Sequence, residues 1–369
     1  MNQLFRWNQM GLFLLALAAG ILPFAVPEVC AAALREGLTL CSGPLLLSLF
    51  PFLVVSRLLI QCPESDLLAL PFRLAAWGIG IRTPCAARVL CIGFLGGFAP
   101  AASAAAQAVR TGQLTVEEAD ALLPACICSG PSFVVLTVGQ SLLGSAELGV
   151  LLFASQITAN YLTAALLNRF AGVRSVKPGS AAPASPAPPR LDEILADAAI
   201  TYCKLCGFIL FFRMLAAGAG ALLPAGAGTL CAVLLEVCSG CDLASRTGRW
   251  GSLLCCAALS VQGLSVLLQV RTICPPEMTL RPLYRSRLLH LPLSLALFYL
   301  LLPGGEADVF STLPARVLLM QRVPPDCALL VFAVCCMAAC TLRSGIRQVE
   351  QKQMARNAGG CCINSKTLL

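Results

Sequence analysis

The chain has 369 residues, of which 58% are hydrophobic and 12% charged, and its formal net charge is +8. Soluble domains carry about 25% charged residues, so this composition excludes a water-soluble globular protein and predicts an all-α, polytopic membrane protein. No alternating ten-residue segments indicate a β-barrel, and no basic patch interleaved with aromatic residues points to nucleic acid as a partner. The lipid bilayer is therefore the first expected partner.

Apolar runs follow one another along the chain and predict about eight to ten membrane segments. The first run, residues 8–33, lacks the basic start and the cleavage site of a signal peptide, so we expect a retained span, kinked near Pro23 and Pro27. Residues 62–88 are more mixed and are expected to form an interfacial helix with a turn. The other runs of the first half cover residues 38–61, 89–109, 121–143 and 147–168.

The composition changes at residues 173–193, which are rich in Pro, Ala and Ser and predict a linker. The linker divides the chain into a first membrane half, 1–172, and a second, 194–342, followed by a basic polar tail, 343–369. The runs of the second half are 198–223, 227–243, 251–270, 288–302 and 327–342. Several runs are shorter than the roughly 20 residues that a perpendicular span needs, which predicts interrupted, tilted or re-entrant helices.

Acidic residues stand between two apolar runs of the first half, in "RTGQLTVEEADALL" at 110–123. Thr115 and Glu118 have the spacing of a capping box, which predicts a helix that begins at about Val116. A carboxylate site at Glu117, Glu118 and Asp120 is the alternative, but the helix dipole already favours acidic residues in a first turn.

The 21 cysteines lie mostly within apolar stretches, where a thiol behaves as a small apolar residue. Two CxxC pairs, Cys203/Cys206 and Cys238/Cys241, lie in membrane-like sequence rather than in a soluble zinc loop. The sequence predicts no metal site and no cofactor. It also lacks the motifs of intramembrane or phosphate-loop catalysis, so we expect a protein that is not an enzyme.

The two halves share an order of features. Residues 49–60 and 206–216 each place aromatic residues before an apolar run with one arginine. A glycine-containing segment follows in each half, at 93–107 and 234–248, and then a span that opens near Gly-x-Ser, at 130–139 and 263–270. Interrupted helices at matching positions of two repeats are typical of a transporter site near the middle of the bilayer.

Residues 27–270 resemble the sporulation integral membrane protein family typified by YlbJ. The resemblance is carried by "PEVCAAALREGLTLCSGPLLLSLFPFLVVSRLLI" (27–60), by "GFLGGFAPAASAAAQAVRTGQLTVEEADALLPACICSGPSFVVLTVGQSLLG" (93–144), and by "EVCSGCDLAS" with "SVQGLSVLLQV" (236–245 and 260–270). It implies a nucleoside-recognition or Gate domain and a role in spore cortex formation, in the plasma membrane of a bacterium, with the forespore and mother-cell membranes as alternatives. The chain departs from the family at Cys126, Cys128 and Leu267, where the family tends to place polar residues.

The breaks in the apolar runs predict a shared polar cavity, because backbone groups freed by glycine and proline cannot face lipid. We expect it to bind or move a small polar solute or a coupling ion; a membrane scaffold for spore-envelope assembly that transports nothing is the alternative, and a homodimer is left open. We expect Gln107, Gln262 and Gln269 near this cavity, together with the acidic Glu236 and Asp242. Arg213 and Lys204 are the hypothesised partners of these two carboxylates. The candidate solute-binding residues are Gly96, Gly97, Gln107, Ser129, Gly130, Pro131, Ser132, Glu236, Ser239, Gly240, Asp242, Gln262, Gly263 and Ser265.

Overall fold

A computed structural model describes residues 2–62, 65–172 and 190–302. Every regular element in these ranges is a helix, which confirms the predicted all-α class. The elements in chain order are α1 (Asn2–Ala25), α2 (Pro27–Ser42), α3 (Pro44–Gln61), α4 (Ser65–Leu68), α5 (Leu70–Gly78), α6 (Pro84–Gly96), α7 (Phe98–Arg110), α8 (Val116–Cys126), a π-helix (Ser132–Leu142), α9 (Ala146–Ala171), α10 (Leu191–Leu222), α11 (Ala225–Leu235), α12 (Val237–Ser245), a 3-10 turn (Gly248–Trp250), α13 (Gly251–Val261), α14 (Gly263–Ile273) and α15 (Arg281–Leu301).

The kink predicted near Pro27 is a sharp bend that divides the first apolar run into a pair of helices. The helical segments Phe13–Ala25 and Pro27–Ser42 form an angle of 108°. Pro27 begins α2, where its missing N–H costs nothing, whereas continuing α1 through it would lose a hydrogen bond. The chain therefore turns where the proline stands.

The protein contains membrane-spanning helices. Within the described residues, Ala146–Ala171, Leu191–Leu222 and Gly248–Ile273 are long and apolar enough to cross a bilayer, and the bent pair adds a fourth if it counts as one span. The other apolar helices have 10–17 residues, because breaks divide the runs that contain them. The number of eight to ten segments stays a prediction.

The described helices follow one order in both halves. In the first half α3 precedes the interrupted pair α6–α7, the interrupted pair formed by α8 and the π-helix, and the long helix α9. In the second half α10 precedes α11–α12, α13–α14 and α15. The two closing helices, α9 and α15, pack against each other, so the halves meet along equivalent elements.

The π-helix and α9 pack with their backbones in contact. A Cβ atom on Gly139 would lie 2.4 Å from the Cα atom of Gly149, so neither position has room for a side chain. Small residues permit such close approach between membrane helices. This contact fixes the start of α9 against the π-helix.

The predicted capping box at the start of α8 is confirmed. The Glu118 amide donates to Thr115 Oγ1 at 3.1 Å, and the Thr115 amide donates to Glu118 Oε2 at 3.2 Å. Glu118 also accepts a hydrogen bond from Thr83. These bonds give the carboxylate a structural role at the helix start.

Asp120 ties the two halves together. Its carboxylate accepts the Thr279 amide at 2.9 Å, the Thr279 hydroxyl at 2.7 Å and the Leu280 amide at 3.2 Å. These donors precede α15, where the free amides of a helix start favour a negative charge. Asp120 therefore holds the start of α15 against α8.

The boundary after the predicted linker lies slightly earlier than the sequence suggests. Helix α10 begins at Leu191, and the Arg190 amide before it donates to Glu193 Oε2 at 3.2 Å. Residues 173–189 of the linker, the apolar run 327–342 and the tail 343–369 lie outside the described residues.

Candidate functional site

The two interrupted pairs of the first half cross at their breaks. Gly97 separates α6 from α7 with φ of 80°, a conformation that favours glycine. A Cβ atom on Gly97 would lie 2.6 Å from the backbone nitrogen of Gly130, in the break between α8 and the π-helix. We call this contact the first crossing; it leaves no space for a side chain at Gly97.

The second half repeats this arrangement with different residues, in what we call the second crossing. Glu236 separates α11 from α12, and its carboxylate accepts the amides of Cys238 at 2.8 Å and Ser239 at 2.7 Å. Gln262 and Gly263, between α13 and α14, have φ values of 66° and 69°. A Cβ atom on Gly263 would lie 3.0 Å from the Glu236 nitrogen, so this approach is looser than that of the first crossing.

Arg287 of α15 covers the carbonyl groups that the first crossing exposes. Its guanidinium donates to the carbonyl oxygens of Pro124 at 3.5 Å and Ile127 at 3.4 Å, at the end of α8, and to Asn160 Oδ1 at 3.2 Å. The Asn160 amide also donates to the Ile127 oxygen. Arg287 is 8% exposed, and the negative end of the α8 dipole favours its charge.

A cavity of about 70 Å³ lies between the two crossings. One water needs about 10–15 Å³ on this measure, so the cavity has room for a few waters or one small polar group. The cavity differs from the polar chamber that the sequence predicts, because most of its wall is apolar. Its polar side chains are Ser129, Ser132, Glu236 and Gln269; its apolar wall includes Leu45, Leu49, Phe52, Leu95, Phe98, Phe133, Ile209, Val237 and Val266.

A second space, which we call the charged cleft, has a volume of about 150 Å³. It lies among α3, α7, α10 and α14. Among its lining residues, Arg57, Arg110 and Lys204 are cationic and Asp197 is anionic. Gln269 borders both the cleft and the cavity, so the two spaces adjoin at this side chain.

Gln269 has an unused acceptor at that junction. Its Nε2 donates to Ser265 Oγ at 3.0 Å, whereas its Oε1 is buried without a partner among the described residues. The Oε1 atom of Gln262 is unpartnered in the same way, while its Nε2 approaches Ser129 Oγ at 3.5 Å across the halves. A buried polar atom without a partner costs free energy, so both oxygens favour a donor from a ligand or water.

The structure brings part of the predicted site together. Five predicted residues line the cavity: Gly96, Ser129, Gly130, Ser132 and Glu236. Four more support it from the crossings or beside Gln269: Gly97, Gln262, Gly263 and Ser265.

The remaining predicted residues do not line the cavity: Gln107, Pro131, Ser239, Gly240 and Asp242. Asp242 forms an ion pair with Arg246 at 2.6 Å, and Gly240 packs against the backbone of Val233. The hypothesised partner Arg213 forms its ion pair with Glu36 at 2.7 Å, and Lys204 lies in the charged cleft.

Sequence reasoning missed Arg57 and Arg287 as members of the site, whereas it placed Gln269 near the predicted cavity. The available signal for Arg287 was its position next to the apolar run 288–302, where a cation needs a specific partner.

No protein-family model, curated protein or solved structure matches the chain. The resemblance of residues 27–270 to the YlbJ-type family therefore stays a prediction.

Proposed function

We propose that this membrane protein binds a small polar solute between its two halves and moves it across the bilayer. The supporting observation is the cavity between the two crossings, which adjoins the charged cleft at the unpartnered Oε1 of Gln269. Irregular backbone at membrane depth is tolerated where protein covers it or where it lines a cavity. Interrupted helices at matching positions of two repeats are typical of transporters.

The small volume of the cavity limits what the solute can be and how it crosses. A space of about 70 Å³ admits a small polar group but not a large metabolite in this conformation. Passage therefore requires the halves to move relative to each other, as in alternating access. Contacts that join the halves, such as Asp120 with Thr279 and Arg57 with Asp197, would have to break or shift in that motion.

The biological setting is proposed on the sequence resemblance alone. Residues 27–270 resemble the YlbJ-type family, which supports a role in spore cortex formation in the plasma membrane of a bacterium. The forespore and mother-cell membranes are the corresponding sites during sporulation.

A scaffold for spore-envelope assembly that transports nothing is the second candidate. Two observations favour it: the backbone contact of Gly97 with Gly130, and the mainly apolar wall of the cavity. In that case the breaks serve close helix packing, and the cavity is a dry packing defect.

Hydrogen–deuterium exchange in lipid nanodiscs separates the candidates without knowledge of the solute. Transport requires a wetted cavity, so amides in peptides covering 128–133 and 236–239 should exchange faster than amides in the middle of α9. Protection equal to that of α9 in both peptides would overturn transport and leave the scaffold.

Uptake into proteoliposomes tests movement directly, with labelled lactate, phosphate, glycine and uridine as probes. Ser132→Leu places an apolar group in the cavity, so it should abolish any uptake that the wild type shows over empty vesicles. Gly226→Leu is the matched control, because a Cβ atom there has no neighbour within 4 Å. Equal loss in both variants would show that the effect does not come from the cavity.

A further inference from the structure

The charged cleft has an excess of positive charge that binding of a neutral solute would not require. Its lining residues include three cations and one carboxylate. We infer that the cleft binds the acid group of a small anion, a carboxylate or a phosphate, with Arg57 as its principal contact. This inference rests on the proposed function and names the chemical class of its solute.

Arg57 is held rigidly in the wall of the cleft. It is 8% exposed, and its Nε donates to Ser103 Oγ at 3.1 Å. Its Nη1 lies 2.8 Å from Asp197 Oδ2, and its Nη2 donates to Thr201 Oγ1 at 3.2 Å. Contacts from α7 and α10 therefore orient the guanidinium, which is the side chain best suited to two-point recognition of an acid group.

The partner of Arg57 is the exchangeable member of the ion pair. The Asp197 side chain is 63% exposed, whereas the Arg57 side chain is 10% exposed. A solvated carboxylate gains little from such a pair, so an incoming acid group can replace it at small cost. Moving Arg57 instead would leave a buried charge uncompensated.

The other lining residues indicate what else the anion carries. Lys204 and Arg110 are exposed and attract an anion into the cleft. The Oε1 atom of Gln269, at the junction with the cavity, has no partner among the described residues and is free to accept a hydrogen bond from the solute. The favoured solute is thus a small acid with a hydroxyl or amino group, and a volume of about 150 Å³ excludes a bulky one.

Binding is measured on the full chain in phosphatidylcholine nanodiscs, at constant ionic strength, by thermal shift and by calorimetry. Lactate and inorganic phosphate are the anionic probes, and glycerol is the uncharged one. We expect at least one anion to raise the unfolding temperature where glycerol does not. If neither anion binds, and phosphatidylglycerol nanodiscs do not stabilise the protein either, the inference is overturned.

Variants of the ion pair give effects of opposite sign. Arg57→Gln should weaken the binding of the anion about tenfold or more, the loss expected for a charge-assisted bidentate contact. Asp197→Asn should tighten it about threefold, because it removes an exposed competitor. A purely structural ion pair would weaken binding in both variants or in neither, and that result would overturn the inference.

Controls separate binding from folding. Arg73→Gln removes an exposed arginine of α5 that does not line the cleft, so it should leave the dissociation constant unchanged. Arg57→Lys keeps the charge and should bind more tightly than Arg57→Gln. If Arg57→Gln does not fold, the Asp197→Asn variant still tests the inference, because its dissociation constant for the anion should be lower than that of the wild type.

The acid group could come from a soluble anion or from a lipid headgroup. Phosphatidylglycerol nanodiscs without added anion provide the second source. If phosphatidylglycerol stabilises the protein and the soluble anions do not, the cleft binds a lipid phosphate. If the soluble anions stabilise it and phosphatidylglycerol does not, the cleft binds a soluble acid. Anion binding without uptake would overturn the proposed transport alone, whereas uptake of uridine without anion binding would overturn this inference alone.

Discussion

The two crossings have the same topology but satisfy their freed backbone groups in different ways. At the first crossing, glycine meets glycine, and Arg287 and Asn160 cover the carbonyl end of α8. At the second crossing, Glu236 covers the amide end of α12. A cation thus stands at one helix end and an anion at the other, each where the helix dipole favours it.

The two halves therefore repeat a topology without repeating its chemistry. Each break frees both amides and carbonyls, and protein must cover them in the absence of water. The covering group comes from within the break at Glu236, but from a distant helix at Arg287. Only the second crossing therefore offers a carboxylate to the cavity.

The largest effect should come from breaking the first crossing with Gly97→Ala. The methyl group would meet the Gly130 backbone at 2.6 Å, in a conformation that only glycine adopts readily. Strain and overpacking together should lower the free energy of unfolding by about 4 kcal/mol. Unfolding in mixed dodecyl maltoside and dodecyl sulfate micelles measures this loss.

Gly130→Ala is the matched control for that measurement. A Cβ atom on Gly130 would lie 3.4 Å from the Gly96 oxygen, an ordinary contact, and its φ is not positive. The control should lose less than about 1 kcal/mol. Similar losses in the two variants would contradict the idea that the two sides of the crossing differ.

Arg287→Met should have the next largest effect. It removes the donors to Pro124, Ile127 and Asn160, and these acceptors are buried. The Ile127 oxygen keeps the Asn160 amide as a donor, but the Pro124 and Asn160 oxygens lose the donor that Arg287 supplies, which should cost about 3 kcal/mol in the same assay. Arg285→Met, at an exposed position of the same helix, is the control and should change the free energy of unfolding by less than about 0.5 kcal/mol. A loss as large as that of Arg287→Met would show that the effect comes from removing a positive charge from α15 and not from uncovering the carbonyl end of α8.

Local patterns in the sequence predict the breaks well. Gly97, Gly130 and Gly263 stand inside apolar runs, and the box at Thr115 is a short-range signal, so these features depend only on neighbouring residues. Which break touches which is set by packing between residues 33 positions apart at the first crossing (97 and 130) and 27 apart at the second (236 and 263). The ion pairs Arg213–Glu36 and Arg57–Asp197 join residues 177 and 140 positions apart, and no local pattern selects such partners.

Gly263→Ala sharpens the comparison, because the second crossing is looser. The added methyl group would lie 3.0 Å from the Glu236 nitrogen, with φ of 69°. Adopting the left-handed conformation with a side chain and shifting this contact should cost about 2 kcal/mol, less than Gly97→Ala. The ratio of the two losses in the micelle assay reports the relative tightness of the crossings, and a larger loss at Gly263 would reverse the order proposed here.

The smallest effect should come from Glu236→Gln, which tests whether the carboxylate is a cap. Glutamine keeps one acceptor but presents an NH₂ group to the second amide and loses the charge that the helix start favours, so the expected loss is about 1 kcal/mol. Asp242→Asn is the control, because it weakens an i,i+4 pair with Arg246 at the partly exposed end of the same helix and should cost less than about 0.5 kcal/mol. If Glu236→Gln costs no more than this control, the carboxylate contributes little to holding α12, and its position in the cavity wall must be explained by what the cavity binds.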